Sequence, residues 1–478
     1  MAWRDFREFL AEIERRGLVR TIEGADCHLE IGTLVELMTE RNGPMLLFDR
    51  IQGYPQGYRI AAKPYSHTER NAVALGLPTG LTAPELFKIW REKVKRLKLV
   101  KPVEVRSAPV MENALEDDAV DLMKFPTPKW HEKDGGPYFG TGCAVITNDP
   151  DHTWVNVGTY RCMLHDQKTT GIQVAAFHHG KIHMNQWWAK GSSCPVAVAV
   201  TTDPYVFTAA TMGLPSGVNE YEYAGFIKDG PIEVIKGPRT GLPLPATAEL
   251  VLEGEIPPPQ VEQRTEGPLG EFTGYMAGGP WLQPVIRVRA IYHRTNPILQ
   301  GEPPLKPPDL NYICPPHAST LSVWEGLENA GIPGIKNVYP LRVGGGLITV
   351  IAISQQYDGH AEQVAHAASG IMPNMCRLII VVDDDIDASN PEDVLWAMAT
   401  RFDPETSFDI VRNCPSGPLD PIISPEKKRR KQTTASRGLI IACRPWHWKD
   451  EFPAVNKATE ALRREVYEKW RALFQQGS

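Results

Sequence analysis

No apolar run in the chain reaches the about 18 residues that a membrane-spanning helix needs, so no transmembrane span is expected. No two cysteines are spaced C-x-x-C. The eight cysteines, Cys27, Cys143, Cys162, Cys194, Cys314, Cys376, Cys414 and Cys443, are scattered, which leaves no readable disulfide framework or zinc knuckle and fits a reducing cytoplasm. There is no excess of positive charge. A formal net charge of −6 gives no electrostatic case for nucleic acid or an anionic membrane surface as partner. No G-x-G-x-x-G opens a helix, and the triplet Gly344–Gly346 is not followed by the lysine of a P-loop. The segment "MAWRDFREFLAEIERRG" has no apolar stretch of the kind a secretory signal carries.

What is present is a long chain, 478 residues, rich in proline (42) and glycine (40), which calls for two or three domains and many turns. Residues 4–17 read as a helix burying Phe6, Phe9, Leu10 and Ile13. "GPMLLFDRI" reads as a short buried strand, and "TAPELFKIWREKVKRL" as a helix capped by Thr82 with Glu85 three residues on. From about 120 to 310 the texture turns to β-branched runs: "CAVITN", "WVNVGTYR", "PVAVAVTTDPYVFTAA", "TAELVLEGEI" and "PVIRVRAIYHR". An all-β, barrel-like or sandwich domain is the economical reading. Beyond a proline-rich stretch, "LITVIAIS" and "RLIIVVDDDID" alternate with the helical patterns "GHAEQVAHAASG" and "PEDVLWAMATRF", an α/β unit. "AVNKATEALRREVYEKWRALFQQ" closes the chain as a long helix with Leu462, Val466, Trp470 and Leu473 on one stripe. The expected fold is therefore α+β and multidomain: an N-terminal α/β region over 1–115, a β-rich domain over 116–305, a linker over 306–330, and a C-terminal α/β domain with its terminal helix over 331–478.

Four stretches could carry chemistry. In "WVNVGTYRCMLHD", Asn156 is a polar residue inside a β-like run, to be hydrogen-bonded, exposed or coordinating, and Arg161 follows with a fork suited to carboxylates or phosphate. "AAFHHGKIHMNQWW" offers His178, His179 and His183; read as a strand, it lets only one of the adjacent pair face a given site. "TAATMGLPSGVNEYEYAG" offers Glu220 and Glu222, which share a face if extended and belong to a solvated loop otherwise. "RTEGPLGEFTGY" sets Glu266 and Glu271 on either side of a Gly-Pro-Leu-Gly turn, beside an arginine. Two carboxylates sharing one cation in a partly dry pocket divide their roles, one ionised and one held neutral as a proton donor. An Asn–His–Glu donor set suits Mn²⁺ or Mg²⁺ better than Zn²⁺. "DDDID" (383–387) and the basic run 427–431 read as solvated turns or loops.

Taken together and in order, "NVGTYR", "HHG", "SGVNEYEYAG", "TEGPLGEFTGY" and "DDDIDASNPEDVLWAMATRFDP" resemble the UbiD family of decarboxylases over nearly the whole chain. The resemblance implies prenylated FMN in a split-barrel-like central domain, held through its phosphate with Mn²⁺ (or Mg²⁺) and K⁺ (or Na⁺). By position it implies Asn156, His178 and Glu220 as divalent-metal ligands, with His178 preferred to His179 because it stands two residues before Gly180. It places Ala209, Ala210 and Met212 at the backbone positions around the monovalent ion, with Arg401 nearby, and Thr159, Tyr160 and Arg161 against the cofactor. It makes Arg161, Glu266 and Glu271 a catalytic network, with Glu271 the acid. The chain departs from the family at Phe177, where glutamine is common, and at Gly370, where fungal members carry a cofactor-contacting lysine. The activity implied is reversible, non-oxidative decarboxylation of an aromatic, heteroaromatic or α,β-unsaturated acid. The implied partners are a flavin prenyltransferase that supplies the cofactor and further copies of the chain in a homodimer or homohexamer. Alternatives are an aromatic acyl-CoA decarboxylase using 427–431 for the nucleotide phosphate, and a non-catalytic flavin carrier; retention of Arg161, Glu266 and Glu271 weighs against the carrier.

Overall fold

The computed structural model describes residues 2–277, 279–309, 318–372 and 375–474. The chain enters through the helix Phe6–Arg15, whose cap is Asp5, a carboxylate accepting from the Glu8 amide. Its buried face is Phe6, Phe9, Leu10 and Ile13, as the 3.6-residue period requires. The helix Ala83–Val94 begins as expected, with Glu85 accepting from the Thr82 amide. The first sheet pairs Val19–Glu23, Met45–Asp49 and Arg59–Ala62, and takes a fourth strand, Ile298–Gly301, from far along the chain.

The central sheet is antiparallel. Its order is Thr169–Gly171, Trp281–His293, Leu250–Ile256, Cys194–Val200, Cys143–Asn148, Val155–Gly158. Strands Gln263–Glu266 and Asn113–Glu116 also pair with the 13-residue strand Trp281–His293, the first along its beginning and the second along its end. The expected boundary near 115 is thus crossed twice by strand pairing, through Asn113–Glu116 and through Ile298–Gly301. The C-terminal unit is a five-stranded sheet, Ile335–Pro340, Ile348–Ile353, Leu378–Asp383, Thr434–Ala442, Phe408–Pro415, parallel at its centre and antiparallel at both edges. Its helices are Ala318–Asn329, His360–Ile371 and Pro391–Arg401.

Several expectations are corrected. The run "PVAVAVTTDPYVFTAA" is not one β segment: Asp203 accepts from the amides of Tyr205 and Val206, Pro204 sits in the first turn, and the helix Pro204–Thr211 follows the strand. Much of the span expected as linker is the helix Ala318–Asn329, which buries Leu321, Trp324 and Leu327 at helical spacing; Cys314 and its prolines lie outside the described residues. The terminal helix is shorter than expected, Glu460–Lys469, then Arg471–Phe474 after a break at Trp470. Leu462, Val466, Trp470 and Leu473 are all exposed, so this stripe does not pack on its own domain. "DDDID" is more than a solvated turn, since Asp383 is buried and Arg401 donates to both Asp383 and Asp385. The basic run forms part of the exposed five-residue helix Pro425–Arg429 and the turn after it. Among the described residues no helix is long and apolar enough to cross a membrane.

Candidate active site

Two short hairpins hold the carboxylate turn. Glu266 ends the strand Gln263–Glu266, opposite Trp281, and Glu271 directly follows Leu269–Gly270, which pairs with Met276–Ala277. Gly267 stands between them at φ 82°, where a Cβ would lie 3.2 Å from Gly279 O and 3.4 Å from Arg161 Nη2. The cation that reaches this turn is not its neighbour Arg264, whose guanidinium is taken by Asp166 and Glu262. It is Arg161, which leaves the strand Val155–Gly158 and donates through Nη2 to Glu266 Oε2 (3.0 Å) and through Nη1 to Glu271 Oε1 (2.9 Å). Tyr138, fixed by pairing with Met163, donates its phenol to Glu266 Oε1 at 2.8 Å.

The two carboxyls differ in surroundings. Glu266 is buried and has the phenol and the guanidinium. The Glu271 carboxyl has one hydrogen bond among the described residues, from Arg161, and borders a cleft of about 440 Å³ lined by Leu29, Trp130, Lys133, Tyr275, Met276 and Leu305. Burial pushes the Glu271 carboxyl up to about 7; Arg161 opposes the shift and Glu266 adds to it. Arg161 stays charged. Burial lowers its pKa, and the charge and hydrogen bond of Glu266 together with Tyr138 and Glu271 outweigh that.

A second cluster forms one strand-turn away. Glu220 opens the helix Glu220–Lys228, is buried, and accepts from the Val157 amide at 2.8 Å. Burial pushes it up to about 7 against that amide bond and its own. Asn156 points Nδ2 toward Thr147 Oγ1 (3.5 Å) and Tyr160 Oη (3.4 Å). Tyr160 accepts from the Gly180 amide, and its ring meets the His178 ring at 5.6 Å. Gly158 and Gly180 make room for this phenol: a Cβ on either would come within 2.7 Å of it. His178 and His179 are not strand neighbours, since His178 caps the helix His179–Ala189. His179 Nε2 is bonded to Ser216 Oγ and its ring packs on Trp154. Buried His183 bonds Thr147 through Nδ1 at 3.0 Å, and burial pushes it down to about 4, so it is neutral. Neither Asn156 Oδ1 nor the His178 ring has a hydrogen-bond partner among the described residues. No carboxylate or cation pairs with Glu220 there either. A buried carboxylate, an amide oxygen and an imidazole are an O, O, N donor set that a hard or borderline divalent ion fits. No group of three His, Cys, Asp or Glu side chains among the described residues could hold such an ion alone, so Asn156 is essential to the set.

Residues 10–90, 101–307 and 314–443 match, in order, the N-terminal, Rift-related and C-terminal domains of the 3-octaprenyl-4-hydroxybenzoate carboxy-lyase family, UbiD. The chain belongs to the UbiD family of decarboxylases. Among UbiD relatives, a phenolic acid decarboxylase of Bacillus subtilis is 32% identical over 449 residues, covering 89% of this chain and 90% of the relative. A pyrrole-2-carboxylic acid decarboxylase of Pseudomonas aeruginosa is 31% identical over 492 residues, covering 98% and 97%. Among solved structures, the open form of Sedimentibacter hydroxybenzoicus vanillic acid decarboxylase superposes with a TM-score of 0.82 at 27% identity, covering 100% of both chains. An evolved dimeric form of the UbiD-class enzyme HmfF from Pelotomaculum thermopropionicum, in complex with prFMN, gives 0.80 at 25% identity, covering 97% of this chain and 98% of that one.

Within this UbiD chain, the structure brings Arg161, Glu266 and Glu271 together, sets Asn156 and His178 against the Tyr160 phenol, and puts Glu220 on the Val157 amide next to Asn156. Only Glu220 of the two helix-start glutamates is buried; Glu222, two residues on, lies about 200° around the helix. Ala209 and Ala210 are buried in the last turn of Pro204–Thr211 and Met212 is its C-cap, so these positions lie where a helix presents carbonyl oxygens to a cation. Thr159 is half-buried between Gly158 and Tyr160. Phe177 is exposed, its ring 4.6 Å from that of His178. Arg401 is buried in the C-terminal unit with its guanidinium committed to Asp383 and Asp385. Sequence reasoning missed Tyr138 and Thr147, and left His183 without a role. The one signal for Tyr138 is the Asp-Gly-Gly of Asp134–Gly136, small residues that bring its backbone against the carboxylate turn.

Proposed function

We propose that this UbiD enzyme removes CO₂, reversibly and without net oxidation, from an aromatic, heteroaromatic or α,β-unsaturated carboxylic acid, with prenylated FMN bound and Glu271 as the proton donor. Prenylated FMN, when bound, supplies the electron sink for the pair released as the carboxylate carbon departs. The chain does the rest. Arg161 holds both glutamates and stays positive next to the leaving carboxylate. Glu266 pairs with Arg161 and keeps it oriented, and Glu271 delivers the proton to the carbon that loses CO₂, so that R–COO⁻ and H⁺ become R–H and CO₂. Asn156, His178 and Glu220 would hold Mn²⁺ (or Mg²⁺) against the cofactor phosphate; His178 is preferred because its ring is unbonded while His179 is engaged by Ser216. The carbonyls of Ala209, Ala210 and Met212 would hold K⁺ (or Na⁺). The names of the phenolic acid, pyrrole-2-carboxylic acid and vanillic acid decarboxylases support the substrate class. The HmfF complex supports the cofactor, which a flavin prenyltransferase would supply.

The observation that carries this reading is one arginine shared by two unequal carboxyls, the one at the cleft titrating near 7. The test is Glu271→Gln in cofactor-loaded enzyme against a panel of aromatic and heteroaromatic acids. The cofactor stays bound and CO₂ release falls by about 10² or more. Undiminished release would remove Glu271 from the mechanism.

A further inference from the structure

We propose that Tyr138 is a positioning residue for the acid step: its phenol pins Glu266 against Arg161 and so leaves Glu271 as the carboxyl that carries the transferable proton. The proposal rests on the reading of Glu271 as proton donor. Tyr138 and Glu266 are both almost fully buried, and the phenol lies 2.8 Å from Glu266 Oε1, its next acceptor being Pro268 O at 3.5 Å. A buried phenol in an ordinary core bonds whichever carbonyl is near. Here the segment around it is built onto the carboxylate turn. The Gly135 amide donates to Pro268 O at 2.8 Å, and a Cβ on Gly135 would sit 2.1 Å from Gly267 O, so no other residue allows the approach. One stretch, Asp134–Tyr138, therefore grips both the backbone of the turn and one of its two carboxylates.

The groups facing Glu266 are Arg161, Glu271, Tyr138, His165 and Cys162, with Asp134 behind the phenol. His165 borders it across Gly171, where a Cβ would meet His165 Nε2 at 2.9 Å and Glu266 Cγ at 3.5 Å. Burial first, and then Arg264, keep His165 neutral; the free Cys162 thiol, hydrogen-bonded with Cys143 and buried, is held well above its usual range and is neutral too. Burial and the charge of Glu266 push the Tyr138 phenol far up, so it remains a donor. Among these groups, Arg161 and the phenol alone favour the ionised form of Glu266. Remove the phenol's hydrogen, and Glu266 competes with Glu271 for the shared proton.

The test is Tyr138→Phe, which keeps the ring. In cofactor-loaded enzyme kcat should fall about tenfold with KM within about twofold, and the acid limb of the kcat profile should move up by about one pH unit or more, the worth of a hydrogen bond to a charged group. In full-length protein labelled with ¹³C at glutamate side chains, the Glu266 carboxyl, assigned with Glu266→Gln, should titrate correspondingly higher. A second variant, 3,5-difluorotyrosine at 138, keeps the hydroxyl and strengthens it as a donor; it should move the Glu266 titration down. A pH profile and Glu266 titration indistinguishable from the parent's in Tyr138→Phe overturn the proposal. So does an unmoved Glu266 titration with difluorotyrosine, which decides the matter if the phenylalanine variant does not fold. The carboxyl titration reads the tie without turnover, so it is separate from the Glu271→Gln result that tests the function.

Discussion

Glu266 accepts from Tyr138 and Arg161 inside the protein, whereas Glu271 meets Arg161 Nη1 and opens on the cleft. That difference in neighbours, not in residue type, divides their roles. The pairing is legible in the Gly-Pro-Leu-Gly turn, whereas its cation, Arg161, is named only by the family resemblance. Local spacing pointed to Arg264, and the structure delivers Arg161, 105 residues upstream of Glu266, and Tyr138, 128 upstream. Contacts made by long-range strand pairing leave no periodic trace in a single sequence. Glu220 carries a prediction at this scale. Burial holds its folded pKa near 7 against an ordinary 4.5. A raised carboxyl favours the folded state when protonated; that contribution is complete below the unfolded value and is lost as pH rises through the folded one. The metal-free protein should therefore lose melting temperature between about pH 5 and about pH 8, and Mn²⁺ should restore more of it at the higher pH. In Glu220→Gln the extra Mn²⁺ effect at high pH should vanish; an Mn²⁺ effect independent of pH in the parent would show that Glu220 does not bind the ion.

At the scale of elements, short strands buried along nearly their whole length and helices with a 3.6-residue face read correctly: Phe6–Arg15, Met45–Asp49, Cys143–Asn148 and Leu378–Asp383 are where the pattern puts them. The misreadings share a cause. Pro204–Thr211 and His179–Ala189 are helices whose residues have strand-like or mixed propensity, and the first of them is set by its first turn. Asp203 with Pro204 starts one; its two amide bonds replace the β preference of Tyr, Val, Phe and Thr. Asp203→Ala should cost about 1–2 kcal/mol in urea unfolding. It should also loosen the C-terminal end where Ala209, Ala210 and Met212 stand, read as a weaker response of stability to added K⁺. No change in either would mean that Pro204 alone fixes the helix.

At the scale of the molecule, the UbiD assignment holds along three matched domains, yet one sheet does not respect their borders: Ile298–Gly301, inside the matched Rift-related domain, completes the N-terminal sheet. Composition shifts along the chain mark texture, and strand exchange between regions is invisible to them. The terminal helix leaves Leu462, Val466, Trp470 and Leu473 uncovered on one stripe, an apolar face that a second copy of the chain would bury. Replacing Val466 and Trp470 together by serine should halve the particle mass or more in light scattering while the melting transition of the α/β unit persists. An unchanged assembly would place the subunit contact elsewhere.

The account's central claim is that Glu271 moves a proton between solvent and the carbon that loses CO₂. Solvent-deuterium exchange into the decarboxylated product, followed by NMR with cofactor-loaded enzyme across pH, tests it without requiring net turnover. Exchange should decline on the alkaline side with a midpoint about 7, where the carboxyl gives up its proton, and should be lost in Glu271→Gln. Exchange at the parent rate in Glu271→Gln, with the same pH dependence, would contradict it.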